Sequence, residues 1–123
     1  MLASLGAATC LMRANIGEIE AVPGGAGIAR AILDECSAIS TACGYAPGDA
    51  FLARTQKLVT ASRSTLTSSM YRDLSKNAPV EVEQILGDLL ERGSKFGLAT
   101  PLLESACVNL RIYEARRLTT SAD

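Results

Sequence analysis

Residues 66–90 read LTSSMYRDLSKNAPVEVEQILGDLL, and the second half of this stretch decides the fold. Val82, Ile85, Leu86, Leu89 and Leu90 follow the i, i+3, i+4, i+7, i+8 spacing of a helix that turns one face to a core. The first half supplies another helix start. Thr67 or Ser68 can cap a short helix running to about residue 75, Lys76-Asn77-Ala78-Pro79 ends it, and Glu81 then sits in the first turn of the next. Backbone N–H groups at a helix start lack internal partners and lie at the positive end of the dipole. They suit a carboxylate or phosphate, and a Ser hydroxyl beside them adds a donor.

The same periodicity extends in both directions. Residues 2–13 are apolar nearly all round and rich in small side chains, as expected of a central buried helix. A chain that opens at once on such a helix, without a cap, reads as part of something longer. Ile28, Ile32, Cys36, Ile39 and Cys43 recur at threes and fours after the break at Pro23-Gly24-Gly25, and Gly44 stops that helix. Asp49 can cap a helix over about 50–61, with Phe51, Leu52, Leu58 and Val59 on one face. Gly93 and Gly97 close the helix that begins near Val82. Pro101 can open the last one, whose buried side is Leu103, Ala106, Leu110 and Tyr113. Strand signals are nearly absent. The expected fold is all-α, a single bundle of about six helices over 1–118, with a disordered tail at 119–123.

Composition removes several classes of function. A formal charge of −1, with 48% hydrophobic and 20% charged residues, argues against a disordered chain and against nucleic-acid binding driven by charge. No apolar run is long enough for a membrane span, so the expected location is the cytoplasm. The four cysteines show no CxxC pairing and there is no histidine, so no metal site is expected; the thiols read as small buried hydrophobes. Gly24-Gly25-Ala26-Gly27 follows Pro23 with no strand before it, which makes it a loop and helix start rather than a dinucleotide fingerprint. Arg111, Arg116 and Arg117 suggest phosphate binding only weakly, because Glu114 interrupts them and charge in a last turn is ordinary helix-end chemistry.

Order and spacing together resemble the C-terminal domain of the ketopantoate reductases, the NADPH-dependent 2-dehydropantoate 2-reductases, whose fold is shared with 6-phosphogluconate dehydrogenase-like enzymes. The resemblance rests on Ser68-Ser69-Met70 with Asp73 and then Glu81. Thr9-Cys10-Leu11-Met12-Arg13 with Ile16-Gly17-Glu18-Ile19 adds to it, as do Ile85-Leu86-Gly87-Asp88-Leu89-Leu90 and Gly97-Leu98-Ala99-Thr100-Pro101. It covers about nine tenths of the chain. It implies that Ser69, with Ser68 beside it, contacts the substrate, and that Glu81, eleven positions after Met70, is the catalytic carboxylate of the cleft. It further implies a 2-oxo acid substrate, NADPH held by a separate N-terminal Rossmann domain, and a homodimer.

The departures are specific. The family's catalytic lysine falls three positions before Met1, and its substrate-contacting asparagines correspond to Leu2, Gly6 and Ile16. With neither that lysine nor a Rossmann domain, this chain alone is expected to be inactive and to bind no cofactor. Each site residue also has a plain structural role: a serine cap stabilises a helix by about 1 kcal/mol, and Glu81 near a helix start by roughly 0.3–1 kcal/mol. The alternative reading is a non-catalytic helical module for protein interaction or dimerisation.

Overall fold

The computed structural model describes residues 2–122, with side chains over 2–119. Among the described residues seven α-helices follow one another: α1 Leu2–Met12, α2 Ile16–Ala21, α3 Gly25–Ala42, α4 Asp49–Val59, α5 Ser69–Ser75, α6 Asp88–Lys95 and α7 Pro101–Ala122. A π-helical turn, Glu83–Gly87, leads directly into α6. No strand occurs among the described residues. The expected tail falls at the edge of them: the helix is assigned through Ala122, and Asp123 lies outside.

The helix beyond the expected six is α2, and its cause is local. Asn15 accepts from the Glu18 N–H at 2.8 Å while Glu18 Oε1 accepts from the Asn15 N–H at 3.0 Å, a reciprocal capping box. α1 ends just before it with Arg13 in the left-handed region (φ 54°), where the Ala14 N–H reaches back to the Thr9 carbonyl at 3.2 Å. The Arg13 guanidinium donates to the Cys10 carbonyl at 2.5 Å. α5 closes the same way through Asn77 (φ 58°), with Ala78 N–H on the Asp73 carbonyl at 2.9 Å and Asn77 N–H on that of Leu74 at 3.1 Å.

α1 lies at the centre, packed mainly against α3 and α7 and also against α5. Its buried residues are Ser4, Gly6, Ala7, Ala8, Thr9 and Cys10, all small, and this lets its neighbours approach closely. Around it Ile16, Ile32, Leu33, Ile39, Leu86, Leu103 and Leu110 are fully buried. Cys10, Cys36 and Cys107 are buried free thiols and Cys43 is half-buried. Burial pushes the Cys10 thiol up to about 11 and the Cys36 thiol up to about 12, so both remain neutral packing groups.

α3 and α7 are joined by one carboxylate. Glu35 accepts from the N–H groups of Leu102 (3.1 Å) and Leu103 (2.9 Å), which satisfies two orphan donors of the first α7 turn from a side chain on another helix. α4 departs from expectation. Gly48, not Asp49, is its cap residue, and of its apolar face only Val59 is buried, with Phe51 and Leu58 exposed. It packs chiefly on α3, so one contact row suffices.

Gly25 is a close-approach position: a Cβ there would lie 1.8 Å from the Ile19 carbonyl oxygen. Gly27, two residues on, faces open space. Gly25→Ala should therefore destabilise the chain by about 2 kcal/mol or more in urea unfolding, while Gly27→Ala should stabilise it by roughly 0.5–1 kcal/mol. Equal and small effects would mean that the α2–α3 corner is not packed as described.

Candidate functional site

The motif at 68–70 divides by burial. Ser68 and Met70 are buried and Ser69 between them is exposed. Met70 lies on the bare backbone of Gly6, where a Cβ would stand 2.7 Å from its Sδ. Ser68 Oγ lies 2.8 Å from Thr9 Oγ1, which is itself 2.8 Å from the Leu5 carbonyl. A carbonyl only accepts, so the Thr9 proton goes to Leu5 and Ser68 donates to Thr9. Ser68 Oγ in turn accepts from the Tyr71 N–H at 3.0 Å as the cap of α5. The Ser68 hydroxyl is thus committed within the fold, and Ser69 is the serine that meets solvent.

The acidic position repeats the pattern. Val80 and Val82 are buried at 6% and 3% exposure, and Glu81 between them is exposed. The Val82 N–H folds back onto the Val80 carbonyl at 2.9 Å, which puts Glu81 at the apex of a tight turn immediately before the helix rather than within its first turn. α7 fixes this turn from behind. Glu114 Oε1 accepts from the Val80 N–H at 2.8 Å, and the Tyr113 hydroxyl donates to the Ala78 carbonyl at 2.6 Å. Ser69 is therefore anchored on α1 and Glu81 on α7. No hydrogen bond links the two side chains, and neither lines the two clefts described next.

One cleft, of about 780 Å³, is lined by Glu83, Asp88, Glu91, Glu104 and Arg111 among others. Arg111 pairs with Glu83 through two hydrogen bonds of 2.8 and 2.7 Å, and Gly87 leaves room for the pair, since a Cβ there would meet Glu83 Oε1 at 2.5 Å. That hydrogen bonding holds the Glu83 carboxyl below the usual range. With four carboxylates and one guanidinium, the cleft has the wrong sign for an anionic substrate. A second, of about 440 Å³, has arginines and no carboxylate in its lining.

The glycine cluster is a loop and helix start with no strand before it among the described residues. The start of α3 is closed by its own chain, with the Gly25 N–H on the Val22 carbonyl at 3.1 Å and the Ile19 carbonyl against Gly25. At Gly25, therefore, the close backbone approach is already taken by Ile19.

Three comparisons bear on this arrangement. The family model described as "Ketopantoate reductase PanE/ApbA C terminal" matches residues 1–114. The chain is 28% identical over 109 residues to an uncharacterised oxidoreductase, YkpB, of Bacillus subtilis (strain 168), covering 89% of this chain and 36% of that protein. Among solved structures it is similar to a dimeric ketopantoate reductase from Staphylococcus aureus (TM-score 0.79, 23% identity, 94% of this chain and 42% of that one). It is also similar to a 2-dehydropantoate 2-reductase from Methylococcus capsulatus (TM-score 0.77, 24% identity, 94% and 39%). At these identities the two structures show the shared fold, and the chain spans well under half the length of each relative.

Glu114 is the residue that sequence reasoning missed, because its partner Val80 lies 34 positions away. Its carboxyl is held below the usual range by the Arg117 hydrogen bond and the Val80 N–H. A depressed carboxyl stabilises the fold above its unfolded-state value and loses that contribution as pH falls through the folded one. Glu114→Gln should cost about 1–2 kcal/mol at neutral pH, and the difference from the parent should shrink in denaturant melts below about pH 4. A difference that persists unchanged in acid would remove the charge from the account.

Proposed function

Since this chain belongs to the ketopantoate reductase C-terminal family, we propose that it forms the substrate-side half of an NADPH-dependent oxidoreductase acting on a 2-oxo acid. One observation carries the reading. The two positions that the family motif singles out, Ser69 and Glu81, are each the exposed member of a buried–exposed–buried triplet, whereas the residues beside them are used by the fold. Ser69 Oγ is a free donor for a substrate carboxylate, and Glu81 accepts from a hydroxyl of substrate or cofactor. Ser68 supports the site from beneath by setting the direction of the α5 start.

NADPH supplies the hydride when it is bound, and the residues of this chain do not fit it. Its place, in this proposal, is in the part of the relatives' length that this chain does not span, a Rossmann domain at their N-terminal side. The positions on α1 and α2 that match the family's substrate-contacting asparagines differ in kind. Gly6 lies under Met70, Ile16 is buried in the core, and Leu2 is exposed. Where the family has asparagine amides this chain offers no side-chain donor, so the proposed substrate is a 2-oxo acid other than ketopantoate.

Partners follow the same logic. Val108 and Ile112 share the outward face of α7, at 46% and 48% exposure, which supports a further domain or a second copy against this helix. No helix among the described residues is long and apolar enough to cross a membrane, and a cytoplasmic location is part of the proposal.

The chain alone should oxidise no NADPH with any 2-oxo acid. Joined to the N-terminal domain of a relative, it should gain turnover. Glu81→Gln should then lower kcat by about 100-fold or more, and Ser69→Ala should raise KM by about tenfold, each with little change in Tm. Turnover by the purified chain alone, or losses in the two variants that merely track stability, would sink the assignment.

A further inference from the structure

Sequence order groups Arg111, Arg116 and Arg117, with Glu114 breaking the run. The fold regroups them. Arg111 turns to Glu83 on the π-helical turn, and Arg13, from the end of α1, joins Arg116 and Arg117 instead. These three guanidinium groups line the 440 Å³ cleft with Asn77, Asn109, Tyr113 and, at its edge toward the outward face of α7, Ile112, and no carboxylate is among the residues that line it. Three guanidinium groups, one of them (Arg117) ion-paired to Glu114, thus meet on one concave surface and present N–H donors to an oxyanion.

The cleft is also held in shape. Arg13 is fixed at both ends, by its left-handed backbone and by its bond to the Cys10 carbonyl. Arg117 is held by Glu114 through bonds of 3.2 and 2.9 Å, and its side chain is only 17% exposed. Tyr113 is tied to Ala78, and Asn77 closes α5 from the left-handed region. Asn109 lines the cleft as well, and its Oδ1 is buried without a hydrogen-bond partner. Side chains already ordered by the fold lose little freedom on binding, and planar guanidinium forks match the oxygens of carboxylate and phosphate.

We propose that this cleft binds a small oxyanion, a phosphate or carboxylate group on a metabolite-sized ligand, at a site separate from Ser69 and Glu81. The proposal stands whether or not the reductase reading does. It uses no residue of that site, and its readout is binding rather than turnover.

The test is a titration of the purified chain, followed by backbone amide shifts in NMR at constant ionic strength near neutral pH. Inorganic phosphate and malonate are the two ligands and chloride is the control. Saturable shifts at Arg13, Asn77 and Tyr113 are expected with at least one of the two ligands and not with chloride. The tighter ligand tells phosphoryl from carboxylate recognition. Arg13→Gly removes a guanidinium at a backbone position that glycine favours, and Arg116→Gln removes one from an exposed position, so both variants should keep the parent's circular dichroism and Tm. Together they should weaken binding by about tenfold or more, on the scale of one charge-assisted hydrogen bond. Shifts that rise linearly and equally with chloride, or equal affinity in the parent, the double variant and Arg116→Gln alone, would overturn the site.

Discussion

The hydrogen bond from Ser68 to Thr9, with Met70 seated on Gly6 beside it, is the contact on which the rest of the arrangement depends. Gly6 and Thr9 are three residues apart on α1 and so share a face, and both are small enough for another chain segment to lie directly on the helix. The start of α5 takes that place. Ser68 and Met70 are turned inward, and Ser69 between them is left exposed. Its exposure is a consequence of packing, and it would persist with or without a ligand.

The same principle works at the other end of the segment. Val80 and Val82 are buried, Glu114 and Tyr113 on α7 hold the backbone of the turn, and Glu81 is left outside. Two helices of the bundle, α1 and α7, thus act as rigid supports for two short exposed points. Side chains presented in this way would lose little entropy on meeting a ligand, which is why the proposed site gains from resting on helices rather than on free loops. α7 serves both faces of this design. One side pins the turn before Glu81, and the side toward Arg13 closes the cationic cleft.

Much of the fold was legible because burial here is written at helical spacing. Ile32, Cys36 and Ile39 on α3, and Val82 and Leu86 before α6, are buried where the threes and fours put them. What escaped the pattern was of two kinds. The short α2 carries its signal in Asn15 and Glu18, but six residues between two breaks give no room for a period. The contacts made across the chain have no local signal at all: Glu35 caps a helix 67 residues later, Glu114 reaches Val80, and Arg13 joins the arginines of α7. At the candidate site, sequence separated Ser69 from Ser68 only through family likeness, and in the structure burial separates them, with Ser68 buried and Ser69 exposed.

The most direct measurement is a double-mutant cycle of Thr9→Val and Ser68→Ala in urea unfolding. If Ser68 donates to Thr9 as described, each single change leaves the other group altered, and the pair should show a coupling energy of about 1–2 kcal/mol. Strictly additive losses would mean that the start of α5 is not held by α1, and the account of why Ser69 faces outward would fail with it.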